Sequence, residues 1–352
     1  MRLVKWTFFV VLLQTLHLVA GLFYFPKVKV SYSHPNARQD TVECERETVT
    51  FNSSFIEFML AFLGVDQSEC ACDDDLCPSV GKFVKLYIYR AETNSFQRLF
   101  SNGSNAYLID RNRPTTVFVH GFSDSFQSRK NSWNNQLSRI ESRVLNRNAI
   151  TLDWGKLSRC PYRQATENIV PEVGYQLYRW LNNVLKLDLR TLRCVGHSLG
   201  SHICGYAGAA SGGQFERCFG LDPAGIGYSI DYDGPPRGLN RTCCQYVQAI
   251  HTDTTIGSRQ AMGHVDFFPN NQTGIQPHCN IQATGCSHQS VVEYYKAALD
   301  PNNLFIGTAC GELSRSSPGA SCRFGAHTTT DCRSGSFCFD TSPCAPYTYL
   351  IS

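Results

Sequence analysis

The chain has 352 residues, of which 42% are hydrophobic, and it carries 32 Lys and Arg against 29 Asp and Glu. This length is enough for one large α/β domain or two small domains, and the apolar fraction argues against global disorder. The formal net charge of +3 indicates no particular partner. Because no basic block is dense, we predict no nucleic-acid binding.

Residues 1–21 have the pattern of a secretory signal peptide. A basic N-terminal end precedes the mostly apolar stretch Trp6–Val19, and Ala20 and Gly21 are small enough for cleavage. A membrane anchor is the alternative, but the stretch is short for a bilayer core of roughly 30 Å and contains polar side chains. We therefore expect a secreted, extracellular protein.

The chain contains 17 cysteines, which is typical of a protein from an oxidising compartment. Because the number is odd, at least one thiol is free or bonded to another chain. Cys70, Cys72 and Cys77 could suggest zinc, but no Cys-X-X-Cys pair or histidine completes a site, so we expect disulfides there. Four Asn-X-Ser/Thr triplets predict N-glycosylation, at Asn52, Asn102, Asn240 and Asn271.

The pattern of the sequence changes near residue 82. Residues 22–81 are irregular and polar, and we interpret them as an N-terminal extension. In residues 82–310, strand-like and helical patterns alternate, which predicts an α/β domain with a mainly parallel central sheet and helices on both faces. Residues 311–352 predict a Cys-rich extension that has no core of its own. The predicted strands are Val84–Tyr89, Thr116–His120, Ala149–Trp154, Thr191–Gly196, Arg217–Leu221 and Tyr246–His251, and the predicted helices are Trp133–Leu145, Val173–Leu187, Leu199–Ala210 and Val291–Leu299.

The pentapeptide Gly196–Gly200 lies between a predicted strand and a predicted helix and has the pattern G-x-S-x-G. A serine hydroxyl is a poor nucleophile, so it must be exposed near a base, and a sharp strand-to-helix turn presents it. The glycines leave room for the crowded turn. The alternative is an ordinary turn with a structural serine, but the strand–turn–helix context favours Ser198 as a nucleophile.

A nucleophilic serine also needs groups that stabilise negative charge. The turn His120-Gly121-Phe122 follows a predicted strand and is similar to a motif whose loop donates a backbone N–H to an oxyanion. The second donor would be the N–H of Leu199, directly after the nucleophile. An ordinary turn at the end of a strand is the alternative for His120-Gly121.

The base is expected to be a histidine, since neutral imidazole can accept a proton near pH 7. With a G-x-S-x-G nucleophile, the acid and then the histidine follow the serine in the chain. His288 is the best placed, because it precedes the predicted helix Val291–Leu299 on a loop. Asp222 and Asp253 each follow a predicted strand, and the pattern alone does not choose between them.

Together these motifs resemble the pancreatic lipase family, especially its secreted insect neutral-lipase and phospholipase A1 branches. The resemblance implies an α/β-hydrolase fold, Asp222 as the acid, and oxyanion donors at Phe122 and Leu199. The motifs occur in the family's order and are Phe118–Phe122, Asp153-Trp154, Gly196–Gly200, Gly220–Ala224, Ile250–Asp253, Gly263–Asn270 and Cys286–His288.

The chain departs from the family pattern in three places. Triglyceride lipases of the family have a long lid, whereas the matching Cys279 and Cys286 would close a loop of six residues, as in phospholipase A1. Asn240 and Cys243 stand where the calcium loop has acids, so we expect no metal and no cofactor. Because 64 residues follow His288, we expect neither the family's C-terminal β-sandwich nor a protein cofactor that binds through it.

The sequence therefore predicts a secreted serine lipase, of phospholipase A1 type, that acts on lipid esters at a membrane or lipid–water interface. A triglyceride lipase is the alternative within the enzyme class. A non-catalytic lipid-binding or yolk-like protein is the alternative outside it, but all three residue types of a Ser-His-Asp triad are present. We predict no obligatory protein partner.

Overall fold

The structure is a computed structural model that describes residues 80–126, 132–229, 233–270, 274–279, 285–310, 319–328, 332 and 334–348, and the backbone of residues 28–33 and 41–46. The predicted signal peptide, Asn52 and Asn271 lie outside these residues. Within the described ranges, no helix combines the length and apolar character that a membrane span requires.

Strands and helices alternate along most of the described chain. The strands are β1 (Val28–Ser33), β2 (Thr41–Arg46), β3 (Lys85–Arg90), β4 (Ser95–Leu99), β5 (Thr115–Val119), β6 (Asn148–Asp153), β7 (Arg193–His197), β8 (Arg217–Leu221), β9 (Tyr246–Ile250), β10 (Val265–Pro269), β11 (Ile306–Ala309), β12 (Ser321–Arg323) and β13 (Gly335–Phe339). The helices are α1 (Val80–Phe83), α2 (Trp133–Val144), α3 (Val170–Arg179), α4 (Leu199–Ala210) and α5 (Cys286–Ala297).

Shorter helical turns extend or precede some of these elements. A turn at Tyr162–Gln164 and a π-helical turn at Ala165–Ile169 lead into α3, and a second π-helical turn, Trp180–Val184, continues it. Short 3₁₀ turns lie at Ala106–Leu108 and Leu189–Thr191. The predicted helix Val173–Leu187 therefore belongs to a helical segment that begins about three turns earlier.

Eleven strands of the described residues form one sheet, in the order β12-β11-β13-β10-β9-β8-β7-β5-β6-β3-β4. The seven strands from β13 to β6 run parallel. The outer pairs, β3 with β4 and β11 with β12, are antiparallel. The prediction of a mainly parallel central sheet is confirmed.

Helices cover both faces of this sheet because its central strands are apolar on both. In β5, Val117 and Val119 face a core that also contains side chains of α3 and α4. Phe118 points to the opposite face, where the core includes Leu137 of α2 and Tyr295 of α5. Alternate residues of a strand point to opposite faces, so burial of the whole strand requires a layer on each side.

The C-terminal segment does not match its prediction. Residues 335–339, placed by the sequence in an extension without a core, form β13, which pairs in parallel with β10 inside the sheet. Phe337 packs against Phe267 with ring centroids 5.8 Å apart, and a disulfide joins Cys310 to Cys338. The predicted boundary at residue 310 was wrong, since the sheet continues beyond it.

Because Phe337 is only 2% exposed, the substitution Phe337→Ala tests the contribution of this segment to stability. We expect the free energy of unfolding to fall by about 3–5 kcal/mol, as for other large-to-small changes in a core. Denaturant unfolding of the oxidised protein would measure it.

Tyr107→Ala is the control, since Tyr107 is 81% exposed and its loss should change stability by less than about 0.5 kcal/mol. Equal unfolding midpoints for the two variants would show that β13 contributes little to the core.

Candidate active site

The predicted site motifs follow the carboxyl ends of neighbouring parallel strands. Val119 pairs with Gly196, His197 with Leu221, and Leu221 with Ile250, so β5, β7, β8 and β9 end side by side. Ligands and substrates of parallel α/β sheets bind at this edge. The fold therefore gathers the turns that follow these strands in one place.

Ser198 occupies a strained turn between β7 and α4. Its backbone angles are φ 55° and ψ −125°, a conformation that a residue with a Cβ rarely adopts and that costs about 1–3 kcal/mol. The turn is held because Ser198 N donates to the carbonyl oxygen of Leu221 at 3.0 Å. Such a turn projects the serine side chain out of the sheet edge.

The glycines on either side of Ser198 are required by close contacts. A Cβ on Gly196 would lie 2.2 Å from the carbonyl oxygen of Gly200. A Cβ on Gly200 would lie 2.2 Å from the carbonyl oxygen of Val119. A side chain at Gly196 would push the start of α4 away from β7, and one at Gly200 would push it away from β5. These two contacts are the physical reason for the G-x-S-x-G pattern.

Asp222 and His288 are in direct contact. His288 Nδ1 lies 2.5 Å from Asp222 Oδ2, and both side chains are buried. The other carboxylate oxygen, Oδ1, accepts the N–H of Thr252 at 2.7 Å and that of Asp253 at 3.2 Å. Burial raises the pKa of Asp222, and the hydrogen bond from His288 partly opposes this shift by stabilising the ionised form.

Asp253, the other candidate acid, has a local role. Its Oδ1 accepts the backbone N–H groups of Thr255 at 2.7 Å and Ile256 at 3.0 Å within its own turn. Of the two carboxylates that the sequence left open, the one against His288 belongs to Asp222. This arrangement leaves Nε2 of His288 available for a second partner.

His288 lies in the first turn of α5, whereas the sequence predicted a loop there. The helix begins at Cys286, five residues before the predicted start. The sequence did not predict this first turn because Cys286-Ser287-His288 carries no apolar periodicity. Within the described residues, Ser198 makes no hydrogen bond to His288. Catalytic hydrogen bonds often form only when substrate binds.

The turn His120-Gly121-Phe122 is held against the β6–α3 connection. Trp154 Nε1 donates to the carbonyl oxygen of His120 at 2.9 Å, and the backbone N–H of Trp154 donates to His120 Nε2 at 3.1 Å. Leu199, the other predicted oxyanion residue, is the first residue of α4 and is buried. The first N–H groups of a helix have no acceptor within it, so they remain available to an anion.

Two disulfides brace the site. Cys279 is bonded to Cys286, the first residue of α5, and so ties the loop before α5 to the helix that carries His288. Residues 280–284 of that loop lie outside the described residues. Cys194 of β7 is bonded to Cys204 of α4, across the turn of Ser198, a pairing that the sequence pattern does not predict.

The remaining predicted features have different surroundings. Asn102 is exposed, whereas Asn240 is half-buried and its side-chain N–H donates to the carbonyl oxygen of Gly238. Cys243 is a free thiol among the described residues, and burial raises its pKa to about 11. Its neighbour Cys244 is bonded to Cys218, so one disulfide already occupies the two sulfurs nearest to this thiol.

Comparisons with known proteins identify the family of the chain. A family model described as Lipase matches residues 79–325. The chain is 34% identical to pancreatic triacylglycerol lipase of Mus musculus over 265 residues, which cover 66% of this chain and 55% of that protein. It is 34% identical to phospholipase A1 member A of Rattus norvegicus over 204 residues, 56% of this chain and 44% of that protein.

Lipase member H of Rattus norvegicus is 27% identical over 275 residues, which cover 72% of this chain and 59% of that protein. The chain thus spans about half the length of the curated relatives it matches. The family match extends over most of the described sheet, including β3 to β10 and all the site motifs. The chain therefore belongs to the lipase family, and its fold is that of an α/β-hydrolase.

Proposed function

We propose that this protein is a serine lipase that hydrolyses carboxylic esters of lipids through Ser198, His288 and Asp222. The observation that carries the proposal is the buried 2.5 Å contact between His288 Nδ1 and Asp222 Oδ2, next to the strained turn of Ser198. A carboxylate that orients a histidine, beside a serine on a strained strand-to-helix turn, is the arrangement that activates a hydroxyl for acyl transfer.

In the proposed reaction, the hydroxyl oxygen of Ser198 attacks the ester carbonyl while Nε2 of His288 takes its proton. Asp222 holds the Nδ1–H of the ring and stabilises the imidazolium that forms. The N–H groups of Phe122 and Leu199 donate to the oxyanion, and His288 then protonates the departing alcohol. Water then attacks the acyl-enzyme while His288 takes its proton. The bond to Ser198 breaks as His288 returns the proton to the serine oxygen, which releases a fatty acid.

Phospholipid is the substrate class that we propose. The supporting observation is the short loop between Cys279 and Cys286, which are seven positions apart. A loop of this length is too short to form an amphipathic cover like the lid of a triglyceride lipase. The 34% identity to pancreatic triacylglycerol lipase keeps triglyceride as the second candidate substrate.

Secretion is part of the proposal, with residues 1–21 as its signal peptide. Five disulfides between described residues support an oxidising compartment. Asn102 is the glycosylation site that the structure favours among its described residues, because it is exposed. We propose a lipid–water interface as the place of action and no obligatory protein partner. We propose no metal or cofactor, since none of the steps above requires one.

Labelling with a fluorophosphonate probe tests the nucleophile. We expect the wild type to bind one probe per chain and Ser198→Ala to bind none, because only an activated serine reacts with such a probe. Mass spectrometry of the labelled protein would locate the adduct. Ser201→Ala is a matched control, since Ser201 lies in the same helix turn and donates to the carbonyl oxygen of Gly196 at 2.7 Å. An unlabelled wild type would contradict the proposal.

The substrate class is tested on dispersed glycerophospholipid and emulsified triolein with one enzyme preparation. We expect faster release of fatty acid from phospholipid, and only from the sn-1 position, because a short loop leaves the site open to a headgroup. Faster hydrolysis of triolein would instead make the protein a triglyceride lipase without affecting the assignment of Ser198.

The substitution Asp222→Asn tests the acid. An amide can still accept the two backbone N–H groups, but its NH₂ group would face His288 Nδ1 and favour the tautomer with the proton on Nε2. We expect kcat for a soluble ester to fall by about 10⁴, as for similar changes in other triads, with folding retained. Asp253→Asn is the control and should keep at least 100-fold more activity than Asp222→Asn.

The substitution Trp154→Phe tests how the oxyanion turn is held. It keeps the aromatic ring but removes the N–H that donates to the carbonyl oxygen of His120. Because the adjacent Gly121-Phe122 backbone would be less constrained, we expect kcat to fall roughly tenfold with little change in KM. Steady-state kinetics on a soluble ester would measure both, and an unchanged kcat would show that the turn is rigid without this bond.

A further inference from the structure

His197 precedes the nucleophile, and the mechanism above gives it no part. Its side chain is buried at the end of β7, and its Nε2 lies 2.9 Å from the main-chain oxygen of His288. The two imidazole rings are 4.5 Å apart, and the ring of Trp133 contacts His197 edge-on at 5.9 Å. His197 therefore touches the backbone that carries the proposed base.

The hydrogen bond fixes the protonation state of His197. A carbonyl oxygen can only accept, so Nε2 of His197 must carry the proton and donate. Burial, followed by the charge of His288, lowers the pKa of His197 to about 3. The ring is therefore neutral at ordinary pH, with its proton on Nε2, and places no second positive charge beside His288 when that residue takes the serine proton.

The same ring also faces the oxyanion turn. A Cβ on Gly121 would lie 3.5 Å from His197 Nδ1 and 2.8 Å from the Cβ of Ser198. His197 is thus packed between the turn of Gly121, its neighbour Ser198 and the first turn of α5. A neutral side chain in this position can link the separate parts of the site without altering their charge.

The contact with Asp222 alone does not fix the orientation of the His288 ring. It involves one ring nitrogen, so the imidazole could still rotate about the Nδ1···Oδ2 direction if α5 moved. A second contact at the main-chain oxygen restricts the helix turn itself, and this contact comes from the residue directly before Ser198. The position of His288 is in this way tied to the turn that carries its proposed proton donor.

We propose that His197 is a positioning residue, a neutral donor whose Nε2–H holds the main chain of His288 in register with Ser198. The inference rests on the proposed function, because it assigns His197 to the same site. It predicts that the loss of the donor lowers the rate of the chemical step and leaves the binding of a small ester nearly unchanged.

Three substitutions at position 197 separate this role from simple packing. His197→Gln keeps an amide N–H that can reach the main-chain oxygen of His288. His197→Met fills a similar volume without a donor, and His197→Asn is polar but too short to reach. We expect kcat for a soluble p-nitrophenyl ester to fall at least tenfold in the Met and Asn variants, with KM within threefold of wild type, and to stay within threefold in the Gln variant.

Each kcat is referred to the number of active sites titrated with the fluorophosphonate, and thermal unfolding is followed in parallel. Equal kcat in the Gln and Asn variants would overturn the proposal, and this comparison stands even if the Met variant does not fold. An unchanged kcat per titrated site, with fewer sites titrated, would overturn it as well. That result would show that His197 only maintains the fold. A wild type that is neither labelled nor active would instead refute the proposed function.

Discussion

The contact between Asp222 and His288 is the interaction on which the site depends, and it joins residues 66 positions apart. It exists because β8 ends beside β7 and β9 in a parallel register and because α5 packs on the same sheet. Asp222 is fully buried, a position that raises its pKa and disfavours its charge. Two backbone N–H groups and the imidazole partly oppose this effect, because their hydrogen bonds favour the ionised form.

The strained turn at Ser198 is unfavourable locally and is stabilised by its surroundings. Gly196 and Gly200 allow β5, β7 and α4 to approach more closely than any side chain would permit. The Cys194–Cys204 disulfide then joins the strand before the turn to the helix after it. A serine held in this way needs little reorganisation when it reacts, which is the property that electrostatic catalysis requires of its groups.

Local patterns predicted the parts of the fold that depend on local sequence. The six predicted strands lie within two residues of β3 and β5–β9, because apolar runs mark buried strands. The strand β13 was missed because Gly335 and Ser336 interrupt its apolar character. The choice between Asp222 and Asp253 depended on distant residues, although the backbone N–H groups that Asp253 accepts in its own turn are a local signal that favours a structural role for it.

Three segments of the candidate site share one kind of anchor, a buried ring N–H that donates to a main-chain oxygen. Trp154 holds His120, and His197 holds His288. Burial lowers the pKa of His202 to about 3, so its ring is neutral. Its Nδ1 accepts the N–H of Leu239, and its Nε2–H therefore donates to the main-chain oxygen of Ala224, two residues after Asp222. Neutral ring donors suit this task, because they fix a backbone rigidly and add no charge beside Asp222 and His288.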